Sequence, residues 1–229
     1  MPARGVFIAG TDTGVGKTLI ACALLHGFAR AGLRAAGMKP VAAGASRRRG
    51  VWYNEDVEQL RAAGNVDAPR RTINPYCFAP PIAPHIAARE AGIPLRMAVI
   101  AGNYARLAAM SDVVVVEGVG GLLVPLGPRL SAAAIPRRLE LPVLLVVGLR
   151  LGCLNHALLT AEAALQRGLR LAGWIANAID PAMVRRAENL DALRQRIPAP
   201  LLGVVKNSAK PDASRIAQVL DIKRINDAI

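Results

Sequence analysis

Long hydrophobic runs are missing from this chain: no uninterrupted apolar stretch in its 229 residues approaches the roughly 18 needed to span a bilayer, so no membrane crossing is expected. Its start has no charged n-region, apolar h-region and cleavage site, so a secretory signal is not expected and the expected location is cytoplasmic. Cysteine is scarce. Cys22, Cys77 and Cys153 are odd in number, far apart and in no CxxC pair, which argues against a disulfide frame or a zinc site and predicts buried free thiols. Aromatic residues make up only 3%, leaving little on which nucleic-acid bases could stack. Acidic residues number 16 against 29 Lys and Arg, for a net charge of +13. Such a balance raises nucleic acid as a partner. The basic residues are nearly all Arg and spread along the chain, however, and Arg47-Arg48-Arg49 is the one tight run. The expected reading is a solvated Arg-rich surface that favours small anions, with no nucleic-acid partner. Internal repeats, low-complexity tracts and interdomain linkers are also absent, so residues 1–229 read as one domain large enough for a sizeable core.

What is present is an alternation of strand-length apolar runs with helix-length segments. The runs cover 5–9, 34–38, 112–117, 142–148, 171–176 and 201–205. Val113–Val116 and Val143–Val147 are continuously apolar rather than alternating, as strands covered on both faces are. Helical stretches fall near 17–31, 54–64, 83–91, 95–110, 154–168, 181–196 and 212–220. This order predicts an α/β fold, doubly wound, with a mostly parallel sheet, helices on both faces and ligands at the carboxyl ends of the strands. Residues 42–53 and 118–130, rich in Gly, Arg and Pro, read as loops over those strand ends.

Between the first strand and the first helix stands Gly10-Thr-Asp-Thr-Gly-Val-Gly-Lys-Thr18. A strand, a Gly-rich turn and a helix N-terminus in this order form a phosphate-binding loop, in which backbone N–H groups and the helix dipole cradle a polyphosphate. Five residues separate Gly10 from Gly16, so the loop is one residue longer than the standard spacing. Lys17 is placed to reach the β- and γ-phosphates, and the Thr18 hydroxyl to ligate Mg²⁺. A nucleoside triphosphate is the expected ligand. Glu117, at the end of the Val113–Val116 run and ahead of Gly118-Val-Gly-Gly121, suits a metal ligand beside a closely packed nucleotide; its alternative is a solvated strand-end acid. Lys39, in Met38-Lys39-Pro40, ends the second strand near the loop and alone fits a solvated Lys equally well. Asp56 by itself reads as a charge at a helix N-terminus.

In their order along the chain these residues closely resemble the dethiobiotin synthetase family, ATP-dependent carboxylases with a P-loop NTPase-like fold. The resemblance rests on the lengthened loop, on Lys39-Pro-Val-Ala-Ala-Gly44, on Asn74-Pro-Tyr with Pro84-His85, and on Val116-Glu-Gly-Val-Gly-Gly121. Leu151-Gly-Cys-Leu-Asn-His-Ala157, Gly173-Trp-Ile-Ala-Asn177 and Ile197-Pro-Ala-Pro-Leu-Leu-Gly203 continue it. It implies a reaction in which CO₂ and 7,8-diaminononanoate form a carbamate, ATP phosphorylates it, and the neighbouring amine closes a cyclic urea. It also implies roles. Gly14, Val15, Gly16, Lys17 and Thr18 hold the triphosphate, with Gly118, Val119 and Gly120 beside it and Asn177 on the base. Thr18, Asp56 and Glu117 hold Mg²⁺. Thr13 and Lys39 touch the diamine or carbamate, Ala43 lines that loop, and Lys17 and Lys39 serve as the catalytic cations. A homodimer is implied too, with the helix start at Leu151 and Asn155 reaching the substrate tail from the partner subunit. His156 reads as packed or capping.

The chain departs from the pattern at four places. Ala43 stands where the family has Ser, Val119 where it has Ala, Ala178 where Asp is common, and Val204-Val-Lys206-Asn207 where an acid, an aliphatic residue and Pro are frequent. These touch substrate and base contacts and leave the phosphate and metal positions intact. Two other readings compete. A partition-type ATPase that binds nucleic acid carries a second Lys early in its loop, where this chain has Thr11-Asp12-Thr13. A non-catalytic regulatory domain of the same fold has no need of Lys39, Asp56 and Glu117 together. A cobyrinate amide-type ligase would require a glutaminase domain that this length does not hold.

Overall fold

The computed structural model describes residues 4–48 and 50–229, so Arg49 of the tight basic run lies outside the described residues. β1 (Arg4–Gly10) leads into α1 (Lys17–Arg30), β2 (Ala35–Met38) and the short β3 (Val41–Ala43). A hairpin of β4 (Ser46–Arg48) and β5 (Val51–Tyr53) precedes α2 (Glu55–Ala63), α3 (Arg70–Ile73), β6 (Tyr76–Phe78), α4 (Pro84–Glu90) and α5 (Met97–Met110). Next come β7 (Val113–Gly121), a second hairpin of β8 (Pro125–Gly127) and β9 (Leu130–Ser131), α6 (Ala134–Leu139) and β10 (Val143–Gly148). The chain finishes with α7 (Cys153–Gln166), β11 (Leu171–Asn177), α8 (Arg186–Arg196), β12 (Leu201–Val205), α9 (Ala213–Ile216) and α10 (Ile222–Asp227).

Six strands form the central sheet in the order β12-β11-β10-β1-β7-β2, and each neighbouring pair is parallel. The continuous apolar runs explain this. Alternate side chains of a strand point to opposite faces, so Phe7, Val114, Val116 and Leu145 pack on one face with Ile100 and Leu107 of α5 and Ala157 and Ala161 of α7. Val6, Ile8, Val115 and Val146 pack on the other with Ile20, Leu24 and Phe28 of α1 and Ile225 of α10. Parallel neighbours need helical crossovers, which cover both faces. The expected doubly wound α/β architecture is present.

Strand order also locates the ligand crevice. The chain leaves β1 through α1 on one face to reach the edge strand β2, returns to β7, and then crosses to β10 by way of α6, whose Ile135 packs on the opposite face. The carboxyl ends of β1 and β7 therefore flank the point where the connections diverge, and open α/β sheets bind ligands at such a point.

Some local expectations are corrected. β7 does not stop at Glu117 but runs on to Gly121, which pairs with Gly10, so the strand continues through glycines that carry no strand propensity. Both expected loop segments contain hairpins, and β3 pairs with β6. The helix read over 181–196 begins only at Arg186, because Asp180 holds a turn through the Ala182 and Met183 N–H groups. The helix read over 212–220 shortens to α9, since Leu220 turns back to bridge Gly203. All three cysteines are free, but Cys77 is only half-buried. Among the described residues no helix is long and apolar enough to cross a membrane.

Candidate active site

The phosphate loop begins where β1 ends. Thr11 N–H donates to the Val146 carbonyl at 3.0 Å, tying the turn to β10. Gly16, with φ of 92°, lies in the left-handed region that glycine occupies without strain, and a side chain there would run into the Asn177 amide. α1 starts immediately afterwards with neither a capping side chain nor an acid in its first turn. Its leading N–H groups and its positive dipole end are thus left for an anion.

Lys17 is 7% exposed and its Nζ donates to the Asp12 carbonyl at 2.8 Å, which folds the side chain back over the loop. Burial, reinforced by the nearby charge of Lys39, lowers its ammonium to about 8. Asp12 does more than accept from Lys17. Its Oδ1 receives the Thr13 N–H at 2.7 Å, and its Oδ2 pairs with Arg150 from the end of β10.

Opposite the loop lies a buried polar cluster. Thr18 Oγ1 donates to Glu117 Oε1 at 2.8 Å, and Lys39 Nζ donates to Asp56 Oδ2 at 2.9 Å and to Glu117 Oε1. Lys39 is therefore the cation between two carboxylates. Burial alone would lower its ammonium, but Glu117 and Asp56 together outweigh it and hold it above the usual Lys value. Burial pushes the Glu117 carboxyl up, against the pull of Lys39 and with the help of Asp56. At Asp56 burial acts in the same upward sense, yet Lys39, Thr18 and Lys17 prevail and keep it below the usual range.

Local structure explains how these side chains meet. Asn74 Nδ2 donates to the Lys39 carbonyl at 2.6 Å and to that of Tyr76 at 2.9 Å, pinning the chain just after β2. Asn54 caps α2 by accepting the Val57 N–H at 3.3 Å, while its Nδ2 donates to the Ala43 carbonyl at 3.2 Å. One side chain thus fixes both the first turn bearing Asp56 and the strand bearing Ala43.

These groups open onto a cavity of about 870 Å³. Thr13, Gly14, Gly16, Lys17 and Thr18 line it from the loop, Lys39, Ala43 and Asp56 from β2 to α2, and Glu117, Val119 and Gly120 from β7. Pro81 to Pro84 and Val124 close the far wall. Other expected residues sit elsewhere. Val15 is buried against Gly148, and the Gly118 carbonyl accepts from Lys39 at 3.4 Å. Asn177 is buried behind the loop, its Nδ2 donating to the Val15 carbonyl at 2.9 Å. Leu151 and Asn155 are exposed at the start of α7 and do not line the cavity, and Leu151 is 94% exposed. His156, expected to be packed or capping, is exposed.

The donor set suits a hard cation. Two carboxylates and a hydroxyl converge at Thr18, Asp56 and Glu117, and the second Glu117 oxygen is buried with no hydrogen-bond partner. Among the described residues no cluster of three or more His, Cys, Asp or Glu could hold a metal alone. A partial protein set of this kind fits Mg²⁺, which keeps waters and takes phosphate oxygens beside one or two carboxylates.

Sequence reasoning missed Arg150, Asn54 and the role of Asn74, because each acts through a partner distant in sequence or through backbone groups. If Arg150 holds the loop by way of Asp12, Arg150→Gln is expected to raise the KM for ATP about 3- to 5-fold. Arg150→Lys should restore most of the loss, and the KM for the second substrate should stay within about twofold. Exposed ion pairs are worth up to roughly 1 kcal/mol, which sets this scale. Initial-rate kinetics on the three proteins checks it.

Residues 4–215 match the family described as an AAA domain. The chain is 58% identical over 217 residues to the ATP-dependent dethiobiotin synthetase BioD of Aromatoleum aromaticum, covering 95% of this chain and 96% of that one. It is 52% identical over 222 residues to the protein of the same name from Nitrosospira multiformis, covering 97% and 96%. Among solved structures, the MinC:MinD cell division complex of Aquifex aeolicus superposes with a TM-score of 0.58 at 14% identity, over 98% of this chain and 95% of that one. A ParA family ATPase from Chlorobium tepidum gives 0.56 at 13%, over 99% and 98%. Identities this low speak to the fold alone, a P-loop nucleotide-binding fold, whereas the two near-full-length matches above one half carry the family. The chain belongs to the dethiobiotin synthetase family.

Proposed function

We propose that this chain is an enzyme of biotin biosynthesis that condenses CO₂ with 7,8-diaminononanoate to form dethiobiotin, converting ATP to ADP and phosphate. The observation that carries this reading is the meeting of Lys17, Lys39, Asp56 and Glu117 in one cavity at the end of the phosphate loop. A nucleic-acid ATPase has no counterpart here for its second loop Lys, since Thr11-Asp12-Thr13 occupies that stretch.

In the reaction, one amine attacks CO₂ and loses a proton to give a carbamate. A carbamate oxygen then takes the γ-phosphoryl group of ATP, and ADP leaves. The second amine attacks the carbamate carbon, phosphate departs, and loss of the second proton leaves the cyclic urea. Both partners in the phosphoryl transfer are anions, so the site must offset their repulsion and align them. The N–H groups at the start of α1 and Lys17 hold the triphosphate, and Lys39 faces the carbamate together with Thr13. Thr18, Asp56 and Glu117 would hold Mg²⁺, which supplies charge neutralisation at the phosphates when bound. Asn177 backs the phosphate loop through Val15, leaving its Oδ1 as the acceptor for a base. No covalent bond between enzyme and substrate is required.

The reading extends to a homodimer in the cytoplasm. Leu151 and Asn155 lie exposed at the start of α7, outside their own subunit's cavity, as residues serving a partner's substrate tail would. Two experiments test the finer assignments. Glu117→Gln is expected to raise the Mg²⁺ concentration for half-maximal rate by at least about 10-fold. Glu162→Gln, exposed on α7, should leave it within about twofold; Glu55 is unsuitable as the comparator because it lines the same cavity. Equal effects at Glu117 and Glu162 contradict the metal assignment. Ala43 lines the cavity without the hydroxyl that the family resemblance would place there, and water can take over such a contact. Ala43→Ser is therefore expected to change the KM for the diamine by no more than about tenfold, roughly 1.4 kcal/mol. A dead wild type revived by Ala43→Ser would overturn the activity and favour the regulatory reading.

A further inference from the structure

We propose that a second cavity, between α4 and the β8–β9 hairpin, is a binding site for an aliphatic carboxylate, distinct from the diamine site. Its volume is about 510 Å³, within the roughly 300–1,000 Å³ common for small-molecule pockets. The walls come from Ile93, Leu95, Leu126 and Leu130, with prolines and glycines between them, and no Phe, Tyr or Trp lines it. A flexible alkyl chain meets aliphatic contacts along most of this wall.

Charge selects the head group. Arg89 is the one charged side chain lining the cavity, and no Asp or Glu is among the lining residues. Arg89 takes part in none of the ion pairs among the described residues. Beside it, His85 Nδ1 is buried without a hydrogen-bond partner. An anion gains a charge-assisted partner in the exposed Arg89, whereas an amine finds no carboxylate there. This disfavours the diamine substrate, whose two amines need acids, and favours a simple alkyl carboxylate.

The two cavities are neighbours that share no lining residue: Pro84 lines the catalytic cavity and the adjacent His85 the second one, while Val124 lines the first and Leu126 the second.

Octanoate and octylammonium, which share a chain and differ in head charge, are the probes, added to the full chain with labelled Ile and Leu methyl groups and followed by NMR. Octanoate is expected to shift the Ile93, Leu95, Leu126 and Leu130 methyls with a Kd of about 1 mM or tighter, and octylammonium to bind at least about 10-fold more weakly. Arg89→Gln should abolish the difference between the two probes. A Cβ at Gly127, which lines this cavity, would meet no heavy atom within 4 Å. Gly127→Leu should therefore fold, weaken octanoate about 10-fold or more, and leave the KM for the diamine within about twofold. The proposal fails if those methyls do not move up to about 10 mM octanoate, or if both probes bind the wild type equally. It also fails if the methyls shift with protein concentration alone, because the face is then covered by a second copy of the chain.

Discussion

Lys17→Ala is expected to lower turnover by about 10²- to 10³-fold while the protein stays folded. On the proposed reading Lys17 faces the position where charge grows on the transferred phosphoryl, and losing one such preorganised donor costs roughly 3–4 kcal/mol of barrier. Its role in the fold is small by comparison. In the structure it bonds to the Asp12 carbonyl within its own loop, makes no ion pair among the described residues, and is held below the usual Lys value by burial and by Lys39. The melting temperature of Lys17→Ala should consequently equal or slightly exceed that of the wild type. Steady-state rates and a thermal melt on the same preparation check both halves, and a folded variant with near wild-type turnover would sink the assignment of Lys17 to the γ-phosphate.

The second large effect is expected at Lys39, where fold and chemistry are joined. Its ammonium is 4% exposed and is the partner of Asp56 and of Glu117, which is itself 1% exposed. Removing one member of a buried ion pair costs about 3–5 kcal/mol, because the remaining charge is left without compensation. Lys39→Met keeps the bulk and removes the charge. It should therefore lower stability by roughly 3 kcal/mol, a fall of about 6–12 °C in Tm for a domain of this size, and reduce turnover by at least 10²-fold. The double variant Lys39→Met/Glu117→Gln discriminates the two causes. With no unpaired buried carboxylate it should regain about half of the lost stability and none of the lost rate. A double variant less stable than the sum of its parts would contradict the pairing.

What the sequence made legible follows the physics of each element. Val113–Val116 and Val143–Val147 stood out because a strand covered on both faces needs apolar residues at every position; all six strands of the central sheet were found, and only β7, which runs on through glycines to Gly121, was read well short of its end. The phosphate loop was legible because its glycines answer to backbone geometry, as Gly16 at φ 92° illustrates. Lys39 and Glu117 were conspicuous as charges ending apolar runs. Asp56, in contrast, looked like an ordinary helix N-terminal charge, and resemblance alone raised it to a ligand. Its connection to the site passes through Lys39 and through Asn54, whose amide reaches back to Ala43. Asn74 fixing the Lys39 carbonyl, and Arg150 gripping Asp12 from the end of the neighbouring strand β10, are side-chain contacts across 35 and 138 residues that no local pattern announces. The hairpins escaped because strands of two or three residues carry too little periodicity to read. The second cavity left no motif, since His85 and Arg89 become neighbours of Leu126 only when α4 packs on β8.

The central claim is that ATP is spent on joining CO₂ to a diamine. Phosphate release should be measured with ATP and Mg²⁺ present, adding 7,8-diaminononanoate and bicarbonate singly and together, with dethiobiotin followed by mass spectrometry. The account predicts sustained phosphate release only with both present, at one phosphate per dethiobiotin formed. ATP hydrolysis that proceeds without the diamine, yields no dethiobiotin and rises on addition of DNA would contradict it.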